Sequence, residues 1–184
     1  MSKRIALLTA AAFGALALTA TIVAPVNAQE KTVMVGGAAM FPSRNIIQNA
    51  VNSKDHTTLV AAVKAAGLVD TLEGKGPFTV FAPTNAAFGK LPAGTVDNLV
   101  KPENKATLTK ILTYHVVPGK LEASDLSDGK KLKTVEGGEL TVKKANGKVM
   151  IVDAKGDTAT VTISNVNQSN GVIHVVDTVL MPAS

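Results

Sequence analysis

The chain has 184 residues and a formal charge of +5, from 19 Lys and Arg against 14 Asp and Glu, with one tyrosine and neither cysteine nor tryptophan. Without cysteine there is no disulfide staple, no thiolate nucleophile, no thiolate-held zinc and no lipid-modified cysteine anchor. Stability must come from a core of Val, Leu, Ile and Ala, and the length suits one such core better than two.

Residues 1–28 read as a secretory signal peptide. Lys3 and Arg4 supply a basic start, 5–28 carries no charge, and Val26-Asn27-Ala28 ends in small residues suited to cleavage. The alternative is an uncleaved anchor, since an apolar run of roughly 18 residues can span a bilayer; Pro25 and the Ala28 terminus favour cleavage. The expected location is the periplasm, the outside of the cell or its surface, with the membrane met only through the leader. Removing Lys3 and Arg4 lowers the net charge from +5 to +3. The remaining basic residues are dispersed apart from the pairs Lys130-Lys131 and Lys143-Lys144, and none interleave with aromatics. No nucleic-acid partner is expected.

Residues 29–44 form a lead-in expected to be partly extended, and 45–184 the main domain. A short helix is predicted over 45–51. Asp55 is placed to cap a second helix running to Ala66, with Leu59, Val60 and Val63 on one face and Gly67 ending it. Residues 69–72 add a turn, and Gly74 and Gly76-Pro77 break the pattern. Phe78–Phe81 reads as a buried strand, and Thr84 caps a short helix over 85–88. Helices follow over 94–100 and from Pro102 onward, the latter carrying Leu108, Ile111 and Leu112 on one face. His115–Val117 turns into a short strand closed by Pro118-Gly119.

From Lys131 the apolar period changes to two. Leu140 and Val142 are followed by Val149 and Ile151, with Asn146-Gly147 between them signalling a type I′ hairpin. Residues 158–166 alternate again, and Asn170-Gly171 leads into a final strand over 172–180. Helices mainly precede strands, so the fold class is α+β.

The chemistry is sparse. His56, His115 and His174 are scattered, with no metal-ligand spacing. No nucleophile elbow is present. Gly74-Lys75-Gly76 lacks phosphate-loop spacing. Asp153–Asp157 lacks the ligand series of a calcium loop and reads as a polar turn. Asn167-Gln168-Ser169 is a glycosylation sequon in form only. No catalytic, cofactor or metal residue is assigned, and the protein is not expected to be an enzyme. Asn85 is expected to make local backbone hydrogen bonds. His174 and Asp177, three apart, are expected not to pair, and Val172, Val176 and Val179 to pack.

Three segments remain: TVFAPTNAAF at 79–88, YHVVPG at 114–119 and GVIHVVDTVLMP at 171–182. In identity, order and spacing they resemble the leading signature, Tyr-His motif and closing signature of the fasciclin domain family, and the rest of the chain from about Met34 resembles a small bacterial single-domain member. The resemblance implies a β-sheet wedge with several short helices packed around it. It also implies an exported adhesion or surface-interaction module that binds a cell-surface or matrix protein or a glycan, without catalysis or cofactor. The alternative is a periplasmic small-ligand-binding or envelope stress-related protein. Tyr114 and His115 are the partner-binding candidates the resemblance supplies. Their structural reading is that His115 bonds to the 79–88 segment and locks the two together. Phe41 and Asn45 lie outside the signatures.

Overall fold

The computed structural model describes residues 31–183; the leader predicted at 1–28 lies outside the described residues. The lead-in folds into a hairpin, β1 (Val33–Val35) and β2 (Ala38–Met40), turned by Gly36-Gly37, both at positive φ. Helix α1 (Ile46–Ala50) follows, with a capping box: Asn45 accepts from Gln48 N–H while the Gln48 side chain accepts from Asn45 N–H. A 3-10 turn at Lys54–His56 leads into α2 (Thr57–Ala66), which stops where Gly67 turns left-handed at φ 71°. Helix α3 (Val69–Glu73) precedes strand β3 (Phe78–Pro83). Next come α4 (Asn85–Gly89), whose Thr84 cap accepts from Ala87 N–H, and α5 (Thr95–Leu99). Helix α6 (Lys105–Tyr114) follows a 3-10 turn begun by Pro102.

The remaining strands are β4 (Val116–Pro118), β5 (Lys131–Lys133), β6 (Glu139–Ala145), β7 (Lys148–Val152), β8 (Thr158–Gln168) and β9 (Gly171–Val176). With β3 they form a seven-stranded sheet in the order β4-β3-β9-β8-β7-β6-β5. Asn146 and Gly147, at φ 52° and 73°, make the β6–β7 turn that their chemistry predicts. The sheet bends until its edges meet: Val135 N–H, two residues past β5, donates to Val116 O of β4 at 2.8 Å. Two apolar cores result. One lies within the bend and takes Phe81, Val117, Leu132, Leu140, Ile151, Ala159 and Val176 from all seven strands. The other packs Val80, Ala82, Val166, Ile173 and Val175, from the opposite face of β3, β8 and β9, against α1, α2, α4 and α6. The architecture is α+β, as the sequence predicts, with strands mainly C-terminal.

Three local expectations are corrected. Asp55 does not cap α2, because it sits inside the 3-10 turn. The cap comes from Asn85, whose Oδ1 accepts from Thr58 N–H and Thr57 Oγ1–H while its Nδ2–H donates to Lys54 O. The bonding of Asn85 is therefore long-range rather than local. The final strand ends at Val176 rather than Leu180, because the Asp177 carboxylate accepts from Thr160 N–H and the chain then tucks Val179 and Leu180 inward.

Two glycines mark close approaches that fix β3 against β9. A Cβ on Gly171 would fall 2.0 Å from Phe78 O, and one on Gly76 would fall 2.3 Å from Asn170 O. Asn170 completes the joint: it accepts from Ile46 N–H and donates to Leu72 O and Gly74 O.

The reassigned cap is testable. Asn85→Ala should destabilise the protein by about 1–2 kcal/mol, the range for losing a helix cap, whereas Asp55→Ala should stay within about 0.5 kcal/mol. Denaturant melts of the two variants check this; equal losses would restore Asp55 as the cap.

Candidate functional site

The three signature segments converge at one place, where β3, the end of α6 and β9 meet. β3 and β9 run parallel in a register that sets Phe81 opposite His174. Their rings stack with centroids 5.7 Å apart and planes 26° from parallel. Phe81 N–H donates to His115 O at 2.9 Å, tying the first segment to the second. The His115 ring ties the second segment to the third, since its Nε2 accepts from Leu180 N–H at 2.9 Å and its Nδ1 lies 2.8 Å from Ile111 O. An acceptor role at Nε2 puts the proton on Nδ1, which donates to Ile111 O. The side-chain partner of His115 is thus the closing segment, and the contact with 79–88 that the sequence reading expected runs through the His115 backbone carbonyl.

Tyr114 and His115 are both buried, at 0 % and 2 % exposure. The Tyr114 side chain points into the bend of the sheet, where its hydroxyl donates to Glu139 O and accepts from Ala154 N–H, both at 2.9 Å. Every polar atom of the two side chains therefore has a protein partner. Beside Ala154, the Asp153 carboxylate is also buried: Oδ1 accepts from Lys155 and Asp157 N–H, and Oδ2 from Met181 N–H. The segment is the polar turn read from sequence, but its anchoring of Met181 carries no local signal. Thr79 is similar, with its Oγ1 bonding Gly119 O and Leu121 N–H.

The histidines share one electrostatic condition. Burial holds His115 down to about 4, against weaker upward pulls from its bond to Ile111 and from Asp153. Burial also lowers His174, whose Nε2 donates to Leu121 O and which Glu122 pulls upward, and His56, whose Nδ1 lies 2.9 Å from Ser53 Oγ and which Asp55 pulls upward. His174 and Asp177 do not pair, because His174 bonds Leu121 while Asp177 bonds Thr160 and Thr178. Among the described residues, no group of three His, Asp or Glu could hold a metal ion.

On the helical side of the site lies an interior cavity of about 70 Å³, walled by α1, α2 and the outer face of β3 and β9. Val63, Leu72, Val80 and Ile173 line it, with the rings of His56 and His115 in the wall, and the surface is almost wholly hydrocarbon.

The Fasciclin domain family model matches residues 54–182. The protein sll1483 of Synechocystis sp. is 47% identical over 181 residues, 98% of this chain and 97% of that one. The cell surface glycolipoprotein MPB83 of Mycobacterium bovis is 40% identical over 153 residues, 80% of this chain and 64% of that one. A FAS1 domain pair from the insect cell adhesion molecule fasciclin I shares the fold with a TM-score of 0.68 at 20% identity, over 77% of this chain and 52% of that one.

Two measurements test the locked core. Unfolded histidine titrates near 6.5 and folded His115 near 4. The unfolded chain therefore binds more protons as pH falls from 6.5 to 4, and stability drops across that window and levels below it. His115 alone should remove about 2–4 kcal/mol by pH 4, a loss that denaturant melts from pH 7.5 to 4 will show. Separately, His115→Ala leaves Leu180 N–H unpaired and should lose about 1–3 kcal/mol at pH 7; an unchanged melting temperature would contradict the lock.

Proposed function

The chain belongs to the fasciclin domain family, and on that premise we propose that it is an exported adhesion or surface-interaction module without catalytic activity. Its partner is a cell-surface or matrix protein or a glycan. The observation that carries this reading is that the polar side chains of Tyr114 and His115 are buried and bonded inside the fold, so neither is free to act on a substrate. A frame of that kind keeps its outer loops in fixed positions, which is what a binding module requires. The names of similar proteins support the reading: one is a cell surface glycolipoprotein and another is a domain pair of a cell adhesion molecule.

Tyr114 and His115 contribute to partner binding from beneath the surface, by holding the shape that the partner meets. Export places the protein in the periplasm or at the cell surface, with residues 1–28 removed as a leader. Among the described residues no helix is long and apolar enough to cross a membrane.

Binding of residues 29–184 to intact bacterial and host cells tests the function. Saturable binding is expected, and Tyr114→Phe should weaken it only as far as it weakens folding. Absence of binding to every surface would reject adhesion. N-terminal sequencing of the exported protein should begin at Gln29, and a retained Met1 would reject cleavage.

A further inference from the structure

We propose that the cavity beneath α1 and α2 is a binding site for a small uncharged hydrocarbon, benzene-sized or a chain of about six carbons, bearing at most one hydrogen-bonding group. At about 70 Å³ it has room for about five waters, at roughly 10–15 Å³ each, yet a stable buried water needs two to four polar partners. The nearly all-hydrocarbon wall supplies too few. A sugar would fare worse, because each buried hydroxyl would go unpaired. An engineered void of about 150 Å³, lined likewise by aliphatic and aromatic side chains, stays dry and takes up benzene or xenon.

A second observation bears on the guest's polar end. Two buried side-chain polar atoms among the described residues have no hydrogen-bond partner, and one of them, His56 Nε2, belongs to a ring in the cavity wall. The nearby Ala82 carbonyl acts on that ring without meeting hydrogen-bond geometry. Ser53 holds the other nitrogen, so the ring is fixed in place. That nitrogen is covered rather than open to the cavity, so it offers a guest no partner, and any polar group on the guest must stay at the mouth beside Val135.

Entry is also provided for. Val135 lines the cavity and is 45% exposed, so the wall reaches solvent there. The opposite wall consists of Val35, Met40, Ile46, Ile47, Ala50 and Ser53. They sit in β1, β2, α1 and the turn after it, elements of three to five residues that precede the family match at 54–182. Short elements at the edge of a fold open at lower free energy than a central sheet. This site is independent of adhesion, since it needs no surface partner.

Titration of the protein with benzene, n-hexanol, palmitate and glucose, followed by methyl NMR, tests the proposal. Benzene and hexanol should shift Val63 and Ile173 methyls saturably and leave Leu140 and Ile151 within the bend unmoved. Ala50→Leu, or Val60→Phe if that variant does not fold, should abolish binding by filling the space. Shifts with the two small probes alone identify a free small molecule, whereas equally strong saturable shifts with palmitate would overturn the limit on size and charge. No saturable shift from benzene or hexanol, shifts from glucose alone, or equal binding in a folded filled variant would overturn it.

Discussion

Phe81 and His174 stand opposite each other in the parallel pair β3–β9, and from that register the rest of the molecule follows. The two strands lie side by side in mid-sheet, so both faces of the pair are buried, and their residues alternate between two cores. Phe81 and Val176 look into the bend of the sheet, while Val80, Ala82, Ile173 and Val175 look toward the helices. A shift of one residue would exchange the two sets. Gly76 and Gly171 forbid it, because the backbone passes too closely there for a side chain. His115 then binds the end of α6 to the chain beyond β9, and only the neutral ring can do so, since one nitrogen must accept from Leu180.

That requirement makes the joint directional in its chemistry. A proton added at Nε2 would face Leu180 N–H, donor against donor, in a buried site where an unpaired polar group is costly. The same joint is why the Tyr-His motif is a poor candidate for surface contact. Both rings are inside and fully occupied by backbone groups: Glu139, Ala154 and Leu180 from other segments, and Ile111 from the turn before His115. The apolar cavity lies against the other side of the same strands, so His115 borders both the lock and the cavity.

Features with a short-range cause were legible in the sequence. The Thr84 cap, the Gly67 stop, the Asn146-Gly147 turn and the period-2 strands each depend on residues within a few positions, and each is where the pattern placed it. What the sequence hid is long-range. Asn85 caps a helix 27 residues earlier, Asp153 holds Met181, and Asn170 binds both α1 and the loop after α3. An Asn beside a helix start or a Gly carries strong local expectations, and tertiary partners overrode them. The fate of residues 177–180 was misread for a related reason: the apolar run continues, but the Asp177 carboxylate ends the pairing by taking the Thr160 amide. The family resemblance singled out the three segments, but of their meeting only the contact between His115 and 79–88 was expected, and the tie from His115 to Leu180 was not.

The position of β9 has a consequence for how the chain reaches its folded state. This strand comes after all the others, yet it fills the place between β3 and β8 near the middle of the sheet. Until residues 171–176 arrive, β3 has only the three-residue β4 beside it, and neither core can close. Contacts so distant along the chain must bear the entropy of a long loop before any burial rewards them, which slows assembly. A nascent chain therefore stays open until its last strand is available, and then closes in one cooperative step.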